Sequence, residues 1–569
     1  MALVKLTTAA GERLLETPWQ EYPRPQLKRD SYVNLNGLWD FTVNESPMPP
    51  EIYGRKILVP FCPESQLSGI GQHFPEGSGL WYRKMITLPE DFCRGRVLLH
   101  IGAADQVAEV YVNRTKVGTH RGGYEAFCFD ITDALSAENE LVIRVTDDLT
   151  DHIFPYGKQV LNRGGMWYTP VSGIWQTVWL ESVPENYVNS LDIQVTLSQA
   201  EITVTPALSG TVSCCGKEYP LINGKATVTP EDPHFWTPED PYLYDFTVTA
   251  GEDRFQSYFA LRTLEVKPFN GLPRLCLNGQ PYFFHGLLDQ GYWPDGLFTP
   301  ATAECYSWDI LAMKKLGFNT LRKHIKVEPE QFYYDCDRLG MIVFQDMVNN
   351  GDYGYIRDTV APTFFRQHRD DRKLHPDPAT RKAFLSGMEA TVRQLKNHPS
   401  ICYWTIFNEG WGQFDSAAVY ARLKALDSSR FIDTTSGWFR GSPSDVESLH
   451  IYFNFWHRLK PSEKPIVLSE FGGFTYSAEG HIFNPDKSYG YGTCKTPQQL
   501  NQRLEEIYRQ RVIPAVAKGL CGSIYTQVSD VEDEINGIVT YDRKVIKPDE
   551  AVMRQIAQQL HTALKEATK

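Results

Sequence analysis

The chain has 569 residues, of which 22% are charged and 42% hydrophobic, a composition typical of a globular protein with about two to four domains. Its formal net charge of −12 gives no electrostatic reason to bind nucleic acid or an anionic membrane. No apolar run has the length of a membrane span or the form of an export signal, so we expect a cytoplasmic protein.

Cysteine usage and the absence of common motifs argue against several further classes of protein. The 11 cysteines are scattered, lack C-x-x-C spacing and include the adjacent pair Cys214 and Cys215, which predicts reduced thiols. The H-E-x-x-H, P-loop and G-x-S-x-G motifs are absent, which argues against common metalloproteases, nucleotide-binding proteins and serine hydrolases. We therefore expect no cofactor and no metal site.

Short β-strands dominate the first half of the chain. Alternating apolar runs without helical spacing predict an antiparallel sandwich of the jelly-roll type over residues 1–181. About seven smaller strands predict an immunoglobulin-like β-sandwich over residues 182–267. The aromatic segment 167–175 near the end of the first block suits either a sugar-binding surface or a packed sandwich edge.

Strand-like and helical runs alternate after Pro268. One helix face is indicated by the spacing of Phe384, Met388, Val392 and Leu395. Eight strand–helix units over residues 268–569 predict a TIM barrel, whose active site lies at the carboxyl ends of its strands. The predicted strands are 282–286, 319–323, 341–345, 401–407, 431–435, 448–452, 466–469 and 522–526.

Two of the predicted strands end on a glutamate. Glu409 follows the apolar run 401–407, and Glu470 follows the run 465–468 with one serine between. Hydrolysis of a glycosidic bond requires two carboxyl groups, one to protonate the departing oxygen and one to attack or stabilise the anomeric carbon. The sequence therefore predicts that these two glutamates share one pocket.

Short motifs along nearly the whole chain occur together and in a characteristic order. They are L-N-G-L-W at 35–39, W-Y-R at 81–83, S-G-I-W at 172–175, F-A-L-R at 259–262, K-L-G-F-N-T-L-R at 315–322, N-H-P-S-I at 397–401, N-E at 408–409 and S-E-F-G at 469–472. In these motifs the chain resembles glycoside hydrolase family 2, the group of β-galactosidases, β-glucuronidases and β-mannosidases. The resemblance implies a retaining exo-β-glycosidase, with Glu409 as acid/base and Glu470 as nucleophile.

The resemblance also implies roles for residues around the glutamates. Asn408 would bind the hydroxyl next to the anomeric carbon, Tyr452 would donate a hydrogen bond to the nucleophile, and Arg322 would supply a positive charge near it. His324 is a further candidate, although the family histidine lies three residues after the strand-two arginine, where this chain has Ile325. The other substrate-binding candidates are Asp289, Gln290 and Gln527 for sugar hydroxyls, and Trp411 and Trp438 for a hydrophobic wall or, equally, the core.

Specificity is indicated by one departure from the family pattern. The glucuronidases carry an Asn-x-Lys signature whose lysine binds the substrate carboxylate, whereas this chain has Glu534, Ile535 and Asn536 there. This replacement argues against a uronic acid, because an unpaired carboxylate in a closed site is strongly unfavourable. We therefore expect a terminal, uncharged β-linked sugar, with galactose first on family frequency alone.

Several alternatives remain open. Within the family they are a β-glucuronidase with another carboxylate anchor, a β-mannosidase or β-glucosidase, and an arabinosidase. From a different class, the chain would be a catalytically dead carbohydrate-binding protein, although such a protein has no chemical need for both glutamates. The expected partner is a carbohydrate or glycoside, not nucleic acid or membrane, and the resemblance implies a possible homo-oligomer whose symmetry no sequence feature fixes.

Overall fold

The computed structural model describes residues 3–360, 370–437, 443–452 and 456–569. A β-sandwich comes first. Its strands are β1 (Tyr32–Asn34), β2 (Gly37–Asn44), β3 (Arg55–Val59), β4 (Gly79–Ile86), β5 (Arg96–Ile101), β6 (Ala104–Asp105), β7 (Val107–Val112), β8 (Thr115–Arg121), β9 (Phe127–Asp130), β10 (Asn139–Thr146), β11 (Gly173–Ile174) and β12 (Val178–Val183). The main sheets have the orders β1-β12-β5-β9 and β3-β2-β4-β10-β7-β8.

The alternation of side chains along the strands builds the core of this sandwich. Ile143 in β10 pairs with Tyr82 in β4 on one side and with Val110 in β7 on the other, and all three are fully buried. Successive residues of a strand point to opposite faces, so such rows form a continuous apolar layer between the two sheets.

A second sandwich follows. Its strands are β13 (Ser190–Val195), β14 (Ala200–Thr205), β15 (Gly210–Cys214), β16 (Lys217–Leu221), β17 (Lys225–Val228), β18 (Tyr244–Ala250) and β19 (Asp253–Phe259). They form sheets of order β13-β14-β17 and β16-β15-β18-β19 around a separate apolar core. A small sheet of β20 (Leu264–Phe269), β21 (Leu272–Leu277) and β22 (Gln280–Pro281) leads into the next unit.

Eight parallel strands form the C-terminal barrel in the order β27-β26-β25-β24-β23-β32-β29-β28. The strands of this half are β23 (Phe284–Asp289), β24 (Thr320–Lys323), β25 (Ile342–Asp346), β26 (Ile401–Asn408), β27 (Phe431–Ser436), β28 (Glu447–Ile451), β29 (Ile466–Phe471), β30 (Thr475–Tyr476), β31 (Thr493–Cys494) and β32 (Leu520–Tyr525). Both faces of these strands are covered, so every residue of β26 is buried.

Helices surround the barrel strands. They are α1 (Glu304–Lys315), α2 (Glu330–Leu339), α3 (Pro378–Leu395), α4 (Ser416–Leu426), α5 (Pro497–Ile507), α6 (Ile513–Val516) and α7 (Glu550–Ala567). The Asp377 side chain caps α3 by accepting from the Thr380 N–H. The predicted helix face is confirmed, since Phe384, Met388, Val392 and Leu395 are all buried. Among the described residues, no helix is both long and apolar enough to span a bilayer.

The predicted sandwich and barrel architecture is confirmed, but some predicted bounds are wrong. The first barrel strand was expected at 282–286 and lies at Phe284–Asp289, because Tyr282 still belongs to the preceding hairpin, where its N–H donates to Leu275 O. The expected domain limits at residues 181 and 267 fall inside β12 and β20. The division of the chain into domains at those positions remains a prediction.

A long connection of the first sandwich, residues 147–172, lies over the carboxyl ends of the barrel strands. The Tyr156 N–H donates to Asn349 O at 3.1 Å, beyond β25, and the Thr169 N–H donates to Glu532 Oε1 at 3.0 Å, beyond β32. The sandwich therefore contributes part of the wall around the barrel mouth.

Candidate active site

The two predicted glutamates meet at the carboxyl ends of the barrel strands. Glu409 directly follows β26, and its backbone is held at φ 54° with its N–H donating to Ser436 O. Glu470 lies in β29 and is 4% exposed. One carboxylate oxygen of each, together with His450 Nδ1, lie within 4.8 Å of one another. A left-handed backbone at a non-glycine residue costs energy, so the surrounding structure holds Glu409 in place.

Glu470 is held in the ionised form. Arg322 Nη1 donates to Glu470 Oε1 at 3.0 Å, and the Tyr452 hydroxyl donates to Oε2 at 2.5 Å. Burial alone would raise the pKa of Glu470, but His450, Arg322 and His324 and the Tyr452 hydroxyl outweigh it and lower the pKa to about 2. Burial and the Glu470 charge keep the pKa of Tyr452 well above its usual value, so the phenol remains a donor.

Arg322 organises the floor of the site. Its guanidinium is fully buried and also donates to Asp346 Oδ1 at 3.0 Å and to Asn408 Oδ1 at 2.9 Å. Burial would lower the pKa of Arg322, but Asp346 and Glu470 raise it above its ordinary value. A guanidinium only donates, so its fixed fork orients each of these acceptors.

Asn408 presents its amide nitrogen to the site. Its Oδ1 accepts from Arg322 and, at 3.0 Å, from Ser436 Oγ. These two donors assign the oxygen and leave Nδ2 as a donor for a ligand. The position next to Glu409 is suitable for the hydroxyl adjacent to the anomeric carbon.

His450 links the two carboxylates and was missed from the sequence. Its Nδ1 lies 2.8 Å from Glu409 Oε1 and 3.4 Å from Glu470 Oε2, while Arg322 Nη1 lies 3.4 Å from Nε2. Because the arginine donates to Nε2, the ring proton resides on Nδ1 and is donated to Glu409. The group thus has a nitrogen and two oxygens at metal-ligand spacing, but this hydrogen bond accounts for the approach of His450 to Glu409.

A hydrogen-bonded pair, His324 and Asp346, lies at the carboxyl ends of β24 and β25 and contacts Arg322. His324 Nδ1 lies 2.7 Å from Asp346 Oδ2, on the same carboxylate that binds Arg322. Burial lowers the pKa of His324, although Asp346 acts in the opposite direction. His324 therefore acts on the site through Asp346, which was not among the predicted site residues.

Gln527 begins a series of hydrogen-bonded side chains that ends at the sandwich domain. Its Nε2 donates to Asn536 Oδ1 at 2.8 Å, and Asn536 Nδ2 donates to Glu534 Oε1 at 3.0 Å. The hydroxyl of Tyr168, from the sandwich, donates to Glu534 Oε2. Glu534, Asn536 and Tyr168 were not among the predicted site residues.

Asp289 and Gln290 make different contacts from those expected of sugar ligands. Asp289 Oδ2 forms a buried ion pair with Lys323 Nζ at 2.7 Å, and its Oδ1 accepts from the Gly291 N–H. Lys323 also pairs with Glu328 at 2.8 Å. Gln290 is buried, and its Oε1 has no hydrogen-bond partner among the described residues. The contacts of Asp289 are those of a structural ion-pair network.

Trp411 is a packing residue in this structure. It is 2% exposed, its Nε1 donates to Gly351 O, and its ring lies edge-on to Tyr156, Trp167 and Tyr353. The partly buried Trp167 of the sandwich covers it. The second predicted tryptophan, Trp438, lies outside the described residues.

Two protein-family models match this chain. Residues 273–562 match the model described as "Glycosyl hydrolases family 2, TIM barrel domain", and residues 72–153 match "Glycosyl hydrolase 2 galactose-binding domain-like". The first match covers just over half of the chain. The chain belongs to glycoside hydrolase family 2.

The relatives of this family 2 glycoside hydrolase include enzymes with two different activities. It is 26% identical over 490 residues to a β-galactosidase of Thermoanaerobacter pseudethanolicus, covering 79% of this chain and 60% of that protein. It is 25% identical over 546 residues to human β-glucuronidase, covering 80% of this chain and 79% of that protein. The chain thus spans less than two thirds of the length of the β-galactosidase.

Solved structures share the fold. A β-glucuronidase of Ruminococcus gnavus superimposes with a TM-score of 0.74 at 18% identity, covering 96% of this chain and all of the other. A β-D-glucuronidase of Dictyoglomus thermophilum gives a TM-score of 0.71 at 19% identity, covering 95% of this chain and 98% of the other. At such identity the likeness establishes the architecture and leaves the substrate open.

Proposed function

We propose that this family 2 glycoside hydrolase is a retaining exo-β-glycosidase that releases a terminal, uncharged sugar, with β-galactoside as the first candidate. The observation that carries the proposal is the convergence of Glu409 and Glu470, with carboxylate oxygens within 4.8 Å of each other. Retaining enzymes hold their carboxyl groups about 5–5.5 Å apart, whereas inverting enzymes need about 6.5–9.5 Å to admit a water molecule.

Glu470 is suited to the role of nucleophile. Burial raises its pKa, but His450, Arg322 and the Tyr452 donor outweigh this effect and lower the pKa to about 2, which keeps a lone pair available for attack. In the first step a Glu470 oxygen forms a bond to the anomeric carbon as the bond to the leaving oxygen breaks. The electron pair leaves on that oxygen, which takes a proton from Glu409, and a glycosyl ester remains on Glu470.

Glu409 is suited to both halves of the reaction. Its side chain is 15% exposed, so it reaches solvent and the departing aglycone, while Glu470 lies deeper. After the aglycone leaves, Glu409 is ionised and removes a proton from water as that water attacks the anomeric carbon. The ester bond breaks, Glu470 regains its charge, and the sugar leaves with its original anomeric configuration.

The uncharged sugar is supported by the surroundings of Glu534. The signature lysine that binds a uronic acid in the glucuronidases is replaced here by the neutral Asn536, and the carboxylate of Glu534, 3% exposed, lies two residues before it. The second candidate is a β-glucuronidase, which the human relative favours. No contact among the described residues specifically favours a β-mannosidase, a β-glucosidase or an arabinosidase.

A panel of p-nitrophenyl glycosides tests the proposal. It comprises the β-galactoside, β-glucuronide, β-glucoside, β-mannoside and α-arabinoside. We expect the highest kcat/KM with a neutral β-glycoside, and proton NMR of the first-formed sugar should show the β-anomer. A preference for the glucuronide would replace the sugar assignment, and an α-anomer as first product would contradict the mechanism.

A further inference from the structure

Cys214 and Cys215 stand where a strand of the second sandwich ends in a tight turn. β15 ends at Cys214 and β16 begins at Lys217, so Cys215 and Gly216 form the two-residue turn of a hairpin. Both turn residues have positive φ angles, 53° at Cys215 and 73° at Gly216, as in the type I′ turn that matches the twist of paired strands. The pairing of Cys214 with Lys217 holds the turn in this conformation.

This turn brings the two sulfur atoms together. Successive side chains of a strand point to opposite faces, which keeps the sulfurs of adjacent cysteines apart. Here Cys215 has left the strand for the left-handed turn, and its Sγ lies 3.5 Å from Cys214 Sγ. Both cysteines are free, and among the residues that the structure describes no other two cysteine thiols hydrogen-bond each other. The hairpin therefore presents a dithiol.

The dithiol is accessible from a cavity. Cys215 is exposed, whereas Cys214 is 3% exposed. Both cysteines line a cavity of about 850 Å³ that is also lined by Gln331 and Tyr334 of α2. Beside the turn, no heavy atom of the described chain lies within 4 Å of the position that a Cβ on Gly216 would take, apart from its chain neighbours. A ligand that binds both sulfurs therefore has room for a bulky substituent.

The spacing of the sulfurs suits a bridging atom better than a direct disulfide. Adjacent Cα atoms lie about 3.8 Å apart across a trans peptide bond, which is less than the roughly 4.4–6.8 Å that disulfides usually span. A bridging atom requires no approach of the two sulfurs. With bonds to sulfur of about 2.3 Å, the length found at zinc, sulfurs that are 3.5 Å apart subtend an angle of about 100° at that atom. Such an angle is typical of a pyramidal, three-coordinate atom.

We propose that Cys214 and Cys215 form a covalent binding site for trivalent organic arsenic compounds. Trivalent arsenic is a soft, pyramidal, three-coordinate atom, so two cysteine sulfurs and one carbon complete its bonding. In the first step the Cys215 thiol adds across the As=O bond of an arsenoxide, which gives an As–S bond and an As–OH group. The Cys214 thiol then forms the second As–S bond, and the hydroxyl group leaves with the thiol proton as water. Neither arsenic nor sulfur changes its oxidation state.

Exposure and burial determine the order of the two steps. Burial and the contact with the Cys215 thiol raise the pKa of Cys214 to about 12, so Cys214 retains its proton and is the poorer nucleophile. Cys215 is exposed and reacts first. Its arsenic then lies next to Cys214 Sγ, and the second bond forms within one molecule. Closure of such a ring benefits from a high effective concentration of the second thiol.

The test uses phenylarsine oxide and the folded full-length protein. Mass spectrometry of the intact wild type should find one adduct, heavier than the free chain by the reagent less one water, and peptide mapping should place it on the peptide that contains Cys214 and Cys215. By calorimetry, the Kd should rise by about 100-fold or more in Cys214→Ser and in Cys215→Ser, because only one As–S bond remains. Matched controls are Cys93→Ser and Cys128→Ser, which remove an exposed cysteine elsewhere and should retain the wild-type Kd.

Three results would overturn the dithiol site. They are the absence of an adduct on the folded wild type, an adduct located on another cysteine, and a wild-type Kd in either hairpin variant. Cys215 is exposed, so Cys215→Ser keeps the fold and decides the question even where Cys214→Ser does not fold. Circular dichroism of each variant reports its folding. The site does not depend on the proposed glycosidase function, so the two proposals fail separately.

Discussion

His450 Nδ1 lies 2.8 Å from Glu409 Oε1 and donates its proton to that oxygen. The same nitrogen lies 3.4 Å from Glu470 Oε2, so a single buried imidazole positions both carboxylates. The opposite ring nitrogen faces Arg322, which fixes the tautomer. The rigid imidazole of His450 therefore helps to set the distance between the two carboxylates, together with the glutamate side chains themselves.

Replacement of His450 should reduce turnover more than binding. In His450→Ala the Glu409 carboxyl group loses its orienting donor, and we expect kcat to fall by about 100-fold or more with a small change in KM. His450→Asn places an amide N–H near the position of Nδ1 and should recover part of the rate. Steady-state kinetics with an aryl glycoside measures both values. Equal kcat in His450→Ala and wild type would show that the histidine does not position the acid.

The acid role of Glu409 predicts a dependence on the leaving group. In Glu409→Gln, glycosides with poor leaving groups should be cleaved about 100- to 10,000-fold more slowly, while a dinitrophenyl glycoside, which needs little protonation, should still form the glycosyl-enzyme. Added azide should then accelerate turnover and yield the β-glycosyl azide, because an anion needs no general base. Equal losses for good and poor leaving groups would exclude this role for Glu409.

The Tyr452 hydroxyl should control the acid side of the pH profile. The pKa of Glu470 in the folded protein, about 2, is below its ordinary value of 4.5, despite the opposing effect of burial. Its ionised form therefore stabilises the fold above about pH 4.5, and this contribution is lost as the pH falls toward 2. Tyr452→Phe removes one donor and should raise the Glu470 pKa, moving the acid limb of kcat/KM upward by about one pH unit. An unchanged acid limb would contradict the assigned hydrogen bond.

Trp411 should matter for stability more than for sugar contact. Its ring is 2% exposed among Tyr156, Trp167 and Tyr353, so Trp411→Ala should lower the free energy of unfolding by about 3–5 kcal/mol. Trp411→Phe keeps most of the volume and should lose much less. Urea denaturation measures the difference. A large rise in KM with unchanged stability would instead place Trp411 in the sugar-binding wall.

The sequence predicted the parts of the site that follow a local rule. Glu409 and Glu470 stand where an apolar strand stops, and parallel strands bring such ends to one edge of the sheet. The same rule, applied to β25, would have included Asp346, which ends that strand and binds Arg322. His450 was also within reach, since it lies two residues before Tyr452 and alternate residues of a strand share a face.

Other features had no local signal in the sequence. Glu534 and Asn536 lie in a loop whose side chains acquire their direction from contacts with Gln527 and Tyr168. Tyr168 is 366 residues away from Glu534 in the chain, so their meeting depends on how the sandwich is seated on the barrel. Likewise, Asp289 was predicted to follow the first barrel strand, but it is the last residue of β23 and forms an ion pair with Lys323, which no spacing rule indicates.

The proposed mechanism passes through a covalent bond between the sugar and Glu470. A 2-deoxy-2-fluoro glycoside with a good leaving group slows hydrolysis of that ester, so the intermediate accumulates and survives proteolysis. Mass spectrometry of the peptides should then find one fluorosugar on the peptide that contains Glu470, and none in Glu470→Gln. A label on any other residue, or rapid turnover by Glu470→Gln, would contradict the central claim.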